Sequence, residues 1–167
     1  MHARFLAGGR RDDAELACVE RAAALYAAAG NACGEAEALF WVATFHQVID
    51  DDNAAARPLL DRAGALAAAA GDRLTLSYVV RHQGFADEAD GDLDRAAERF
   101  AESLRLRREL GFGRGVSAAL LALAELTRRR GDIGQADALL TEAEQAARSS
   151  DAPGILRWIE LARAEAG

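Results

Sequence analysis

Residues 91–110 read GDLDRAAERFAESLRLRREL, and residues 130–148 read RGDIGQADALLTEAEQAAR. Laid over one another at a spacing of 40, they share an aspartate after glycine (Asp92, Asp132), an alanine (Ala96, Ala136), a large apolar residue (Phe100, Leu140) and a second small residue (Ser103, Ala143). The columns run back one more period through Asp52, Ala56, Leu60 and Ala63. Upstream of each set, the large Phe40, Val80 and Leu120 are followed by the smaller Thr44, Gly84 and Ala124. Self-similarity at a fixed period marks a repeat architecture, in which each unit buries its apolar face only by stacking on its neighbours.

Each unit reads as two helices. The first spans about 34–49, 73–89 and 114–129, and the second about 54–70, 94–110 and 134–149. Alanine fills 41 of 167 positions and proline only two, a helix-former's composition. The second helices stop at Gly71, Gly111 and Asp151, where a left-handed cap suits glycine. Asp92 and Asp132 stand where an N-cap is needed, and Pro58 is placed in the first turn of its helix. At the start, residues 14–30 match a second helix, since Val19, Ala22, Leu25 and Gly30 align with Leu60, Ala63, Leu66 and Gly71 at a spacing of 41. At the end, Pro153 and Gly154 open a helix whose apolar stripe is Ile155, Trp158, Ile159 and Ala162. The chain therefore reads as one all-α domain over 1–167: a half repeat at 5–30, repeats at 33–72, 73–112 and 113–152, and a capping helix at 153–166.

Charge and composition narrow the classes of function. A net charge of −7 argues against a general binder of nucleic acid or anionic membrane. No apolar run reaches the ~20 residues that cross a bilayer, and MHARFLAGGRRDD lacks a signal peptide's apolar core. A cytoplasmic location is expected. Cys18 and Cys33, the whole thiol inventory, are separated by about 18 Å of helix to Gly30 at ~1.5 Å per residue, too far for a disulfide. Two reduced, structural thiols are expected.

The column order of large then small in the first helix, Gly-Asp at the turn, and alanine, aromatic or leucine, alanine in the second resembles the tetratricopeptide repeat. The resemblance spans about residues 5–165. It departs from the common form in its period of 40 and in lacking the proline that closes many repeats. Longer repeats of this kind are similar to those of kinesin light chains, bacterial peptide-pheromone receptors and the sensor regions of large LuxR-type regulators. The arginine-only, alanine-rich character fits the last of these best. The resemblance implies a right-handed α-solenoid whose first helices line a concave groove for proteins or peptides.

The residues support a groove independently. Helix 34–49 carries one apolar stripe through Ala36, Phe40 and Ala43, and a second through Trp41, Phe45, Val48 and Ile49. A helix apolar on two sides needs cover on both. The matching positions in later repeats are Arg81, Phe85, Glu88 and Ala89, then Leu121, Glu125, Arg128 and Arg129, with Tyr78 one turn earlier. The inferred groove residues are Trp41, Phe45, Val48, Tyr78, Arg81, Phe85, Leu121 and Glu125, apolar toward the N-terminal half and mixed in charge toward the C-terminal half. Trp41 and Phe45 read equally well as core between stacked repeats. Groove positions Trp41, Phe45, Tyr78, His82, Ala118 and Ala122 do not match the lysine, asparagine and arginine set with which related domains clamp a peptide's terminal carboxylate.

Catalytic and metal chemistry find no foothold. The histidines are His2, His46 and His82; the last two lack an i+4 histidine or cysteine, read as polar helix positions, exposed or in the groove, and show no constellation of nucleophile and orienting carboxylate. Asp50-Asp51-Asp52-Asn53 lacks calcium-loop spacing and reads as an acidic helix cap. Gly111-Phe112-Gly113-Arg114-Gly115 follows a helix and reads as a mobile inter-repeat turn, not a phosphate loop. Arg128-Arg129-Arg130 sits at a helix C-terminus, where positive charge is favoured. The expectation is a non-catalytic module that needs no metal or cofactor and binds a protein or peptide segment, as the sensor or interaction part of a bacterial regulator. The alternatives are a self-associating module, dimerising through an end left open at Leu16 and Val19, and a small-molecule sensor using the same groove.

Overall fold

The structure, a computed structural model, describes residues 11–164, and all its regular elements are helices: α1 (Asp13–Ala28), α2 (Ala32–Val48), α3 (Asn53–Ala70), α4 (Arg73–Ala89), α5 (Leu93–Glu109), α6 (Gly113–Arg129), α7 (Ile133–Ser149) and α8 (Pro153–Ala164). The start of the opening half repeat and the end of the capping helix, together with His2, lie outside the described residues. Within them the helix bounds agree with the sequence reading to within two residues at every described end.

The turns explain that agreement. Gly30, Gly71, Gly91, Gly111 and Gly131 all take positive φ, as do Asp51 and Asp151, so a left-handed residue recurs about every 20 positions. The side chains of Asp52, Asp72, Asp92 and Asp132 then accept a backbone N–H three residues on, at 2.8–3.1 Å. One turn chemistry, repeated, stops each helix and starts the next. Asp51, exposed like Asp151, carries a Cβ that resists its φ of 53°. Asp51→Gly should therefore raise stability by about 0.5–1 kcal/mol, measured by urea unfolding.

Pro58 is the sixth residue of α3, one residue deeper than the sequence reading put it. Its missing N–H leaves the Ala54 carbonyl without an intrahelical donor, and Pro58 and Ala54 both face solvent.

Short turns fold each helix back on its predecessor, and consecutive helices pack together in chain order. In addition α2 reaches α4, and α6 reaches α8. The core is three neighbouring clusters. One, around Phe40, Leu60, Ala63 and Val79, joins α1 to α4. A second, around Ala96, Phe100, Ala122 and Leu126, forms the centre. The third, around Leu120, Leu140, Ala143 and Ile159, joins α5 to α8. The repeat columns that identified the fold are buried: Leu60, Phe100, Ala63 and Ser103 have no exposed surface, and Leu140 has 1%. Serine at 103 is tolerated because its hydroxyl donates to the Ser77 carbonyl at 2.7 Å.

Cys18 and Cys33 are unpaired, but both are exposed, so neither fills the core as a structural thiol. On α1, Leu16 and Val19 are half-buried, while Leu25 and Tyr26 are more open, at 61% and 42%. Among the described residues no helix is long and apolar enough to cross a membrane.

Candidate functional site

A half-enclosed cavity of about 860 Å³ opens on the side of the stack formed by α2, α4, α6 and α8. From α2 come Phe40, Trp41, Thr44, Gln47 and Val48. At about 100° per residue these share one sector of the helix. From α4 come Tyr78, Arg81, His82 and Phe85, spaced i, i+3, i+4, i+7. Only the first turns of α6 contribute, through Arg114, Gly115 and Ala118, because α8 takes over with Ile155 and Trp158 and closes that end.

Of the eight residues inferred from sequence, Trp41, Val48, Tyr78, Arg81 and Phe85 meet in this cavity. The other three do not. Phe45 lies roughly 40° beyond Trp41 around the helix. It is 3% exposed, and the Arg11 guanidinium sits 5.7 Å from its ring. Leu121 shares the α6 face but is covered by α8, buried in one cluster with Ala152 and Ile159. Glu125 is about one turn further along and lines a separate hollow of about 420 Å³ with Glu88, Arg128 and Arg129. The mixed-charge half of the groove is thus not part of the main cavity. There Arg129 pairs with Glu88 at 2.6 Å, Arg128 faces Asp137 at 3.4 Å, and Arg130 pairs with Asp94.

Phe40, read from sequence as core, and Gln47 and Phe112, not singled out for the groove, complete the wall with His82. Phe40 makes edge contact with Trp41 at 5.1 Å and with His82 at 5.0 Å, and lies 5.6 Å from Tyr78. His82 continues to Phe85 at 5.8 Å, and Tyr78 to Phe112 at 5.9 Å. Six of the ten aromatic residues in the chain line this one cavity. Gln47 ties the polar edge together: its Oε1 lies 2.6 Å from His82 Nδ1, and its Nε2 donates to Asn53 and to the His82 carbonyl.

Phe112 stands in the column where four other turns place a capping aspartate, and α6 has no side-chain cap. Forgoing a cap costs about 1 kcal/mol. The ring is directed instead to the cavity, seated on Gly115, where a Cβ would fall 2.3 Å from it. Within the glycine-rich stretch 111–115, Gly111 takes positive φ and stops α5. Gly113 begins α6, and Gly115 is the close-approach point of Phe112 and Arg107. The broken cap column was the one signal in the sequence that pointed to Phe112.

Arg107 has 2% exposure, although its helix belongs to the outer set. Its Nη1 donates to the Gly115 carbonyl at 2.9 Å, its other nitrogens reach Ser77 only at 3.4–3.5 Å, and the guanidinium lies 5.1 Å from the Tyr78 ring. Burial pushes its pKa down to about 9, and the nearby Arg81 charge adds to the shift. Burial likewise takes Arg81 to about 10, opposed by the field of Glu125. Arg81 stacks on Phe85 at 4.5 Å, and its Nε is buried without a hydrogen-bond partner. Burial also raises the Tyr78 hydroxyl above its usual range. Both guanidinium values lie below that of an unfolded arginine. The charged forms therefore cost stability at neutral pH, and that cost begins to be relieved only as the pH rises above about 9–10 toward the value of an unfolded arginine.

Among the described residues no group of His, Cys, Asp or Glu could hold a metal ion. The Asp50–Asp52 turn acts locally, with Asp50 taking Arg11 and, at 3.1 Å, His46, and Asp52 capping α3.

The fold and site define an all-α stack of paired helices with one aromatic, arginine-bearing cavity on its inner-helix side. The chain matches no protein-family model and no curated protein sequence.

Proposed function

We propose that this protein is a non-catalytic binding module, built as a tetratricopeptide-like right-handed solenoid, whose ligand docks in the cavity between Trp41, Tyr78, Phe85 and Trp158. The observation that carries this reading is the gathering of six aromatic side chains and two desolvated guanidinium groups around one half-open volume. Aromatic residues and arginine dominate binding hot spots. In a repeat scaffold such a site serves to capture a peptide or protein segment, and a cytoplasmic sensor or interaction part of a regulator is the role it fits.

A second reading, small-molecule sensing, is favoured by closure of one end by α8 and by a volume within the ~300–1,000 Å³ usual for small-ligand sites. Dimerisation through the ends is a lesser version, supported by Leu25 on α1 and Leu161 on α8, both more than half exposed.

The experiment is mass-spectrometric identification of peptides and small molecules retained from a cell extract by wild type and by Trp41→Ala/Phe85→Ala, after both are shown equally helical. Trp41 is half-buried and Phe85 edges the cavity, so the double variant should fold and lose at least about tenfold in affinity. A species retained equally by both variants would move the function away from the cavity, toward the ends of the stack.

A further inference from the structure

None of the twenty residues that line the cavity is Asp or Glu, although acidic residues outnumber basic ones by 27 to 20 in the chain. Three are arginines: Arg81, Arg107 and Arg114. Elsewhere arginines are matched with carboxylates: Arg57 with Asp87 and Asp90, Arg105 with Glu102 and Glu109, Arg148 and Arg163 with Glu144. Among the described residues, no carboxylate lies within ion-pairing distance of Arg81, Arg107 or Arg114. Glu125, whose field reaches Arg81, lines the neighbouring hollow.

A desolvated cation without a counter-charge is costly, and natural proteins retain such groups where a ligand supplies the missing partner. Arg107 satisfies itself with carbonyls and has donors left over from the five that a guanidinium carries. Arg81 leaves a buried N–H with no acceptor. The same side chain lines the aromatic cavity and stacks on Phe85, so an anion entering there would meet a cation that no carboxylate of the lining neutralises.

We propose that the ligand is a small organic anion, a carboxylate carried on a flat or acyl apolar body, with the charged end at Arg81 and Arg107 and the body against Trp41, Tyr78, Phe85 and Trp158. The proposal rests on the cavity being the binding site, and it selects the free small molecule over a peptide because α8 closes one end of the space. A bound anion would also offset the burial cost that now lowers both guanidinium groups.

Both tryptophans in the chain line the cavity, so energy transfer from them reports occupancy directly. Two probes that differ by a sulfonate, 8-anilinonaphthalene-1-sulfonate and the neutral N-phenyl-1-naphthylamine, should be titrated against wild type, Arg81→Gln and Arg81→Lys, with helicity checked for each. Displacement of the anionic probe by 1-naphthoate and by an acidic, tryptophan-containing heptapeptide completes the set. The expected result is about tenfold tighter binding of the anionic probe by wild type, since hydrogen bonds to charged groups are the strong ones. That preference should be lost in Arg81→Gln and kept in Arg81→Lys, with naphthoate displacing the probe and the heptapeptide failing to. Equal binding of both probes, or anion binding indifferent to Arg81→Gln, would overturn the anion while leaving the cavity as the site. Displacement by the heptapeptide alone would overturn the small molecule in favour of a peptide. If neither probe drew energy from the tryptophans, the cavity reading would fall as well. Should Arg81→Gln fail to fold, the two probes on wild type still decide the preference for an anion.

Discussion

Phe100→Ala is expected to cost this protein about 3–5 kcal/mol, the range for emptying a fully buried aromatic position. Phe100 has no exposed surface and sits at the centre of the middle cluster, among Ala96, Ala122 and Leu126. Its ring edges Phe85 at 5.0 Å, so it also backs one wall of the cavity. Room for the ring comes from Gly84 on α4, where an added Cβ would fall 2.6 Å from a ring carbon. That contact makes a sharper test than the single deletion. Gly84→Ala alone gains about 1 kcal/mol in helix propensity but overpacks a core at a cost of about 1–3 kcal/mol, so it should destabilise. In a Phe100→Ala background the ring clash is gone and only the milder approach of the Arg99 Cβ, at 3.2 Å, remains, so the same Gly84→Ala change should stabilise. A double-mutant cycle by urea unfolding would show this reversal as a coupling of about 1–3 kcal/mol. Additive effects would mean that the glycine is not there for the ring.

Asp87→Ala should be the largest polar effect, about 2–3 kcal/mol. Asp87 is 3% exposed on α4. It accepts from Arg57 of α3 at 2.9 Å, and Arg95 and Arg99 of α5 face its other oxygen at 3.5 and 3.7 Å. One carboxylate thus holds three consecutive helices. Breaking a buried ion pair by removing one partner costs about 3–5 kcal/mol because a charge is left stranded. Here the three arginines are roughly one-third to one-half exposed and can turn to water, and Arg57 keeps Asp90, which trims the cost. Asp87→Asn should lose about half as much, because the Arg57 hydrogen bond can survive without the charge. Hydrogen exchange should place the loss in α3, α4 and α5, with α7 and α8 unaffected. Uniform weakening of the whole chain would show that Asp87 does not act as a local clamp.

Phe100 and Asp87 differ in how far the sequence disclosed them. Phe100 stands in a repeat column with Leu60 and Leu140, and that column alone marked it as core. Asp87 precedes a turn in an acidic stretch, DEADGD, and nothing local separates it from the exposed Asp90 beside it. Its burial follows from arginines 8, 12 and 30 positions away in the chain.

The cavity divides in the same way. Trp41, Val48, Tyr78, Arg81 and Phe85 were legible because they lie on the inner faces of helices whose period could be read. Phe45, Leu121 and Glu125 were misplaced. A stripe drawn on one helix cannot show that Phe45 turns toward Arg11, or that Leu121 joins the cluster with α8 while Glu125 lines a separate hollow.

By itself, then, the sequence determined the all-α repeat, its helix bounds and its core columns, because helical period, glycine stops and aspartate caps are local and recur about every 20 residues. Tertiary structure alone decided that Arg107, written within a run of charges that reads as a solvated face, is buried beside Gly115 and Ser77. It alone brought Phe112 and Trp158 into one cavity with Trp41. Burial of a charge and enclosure of a cavity depend on which helices stack together, and no spacing within a single helix records that.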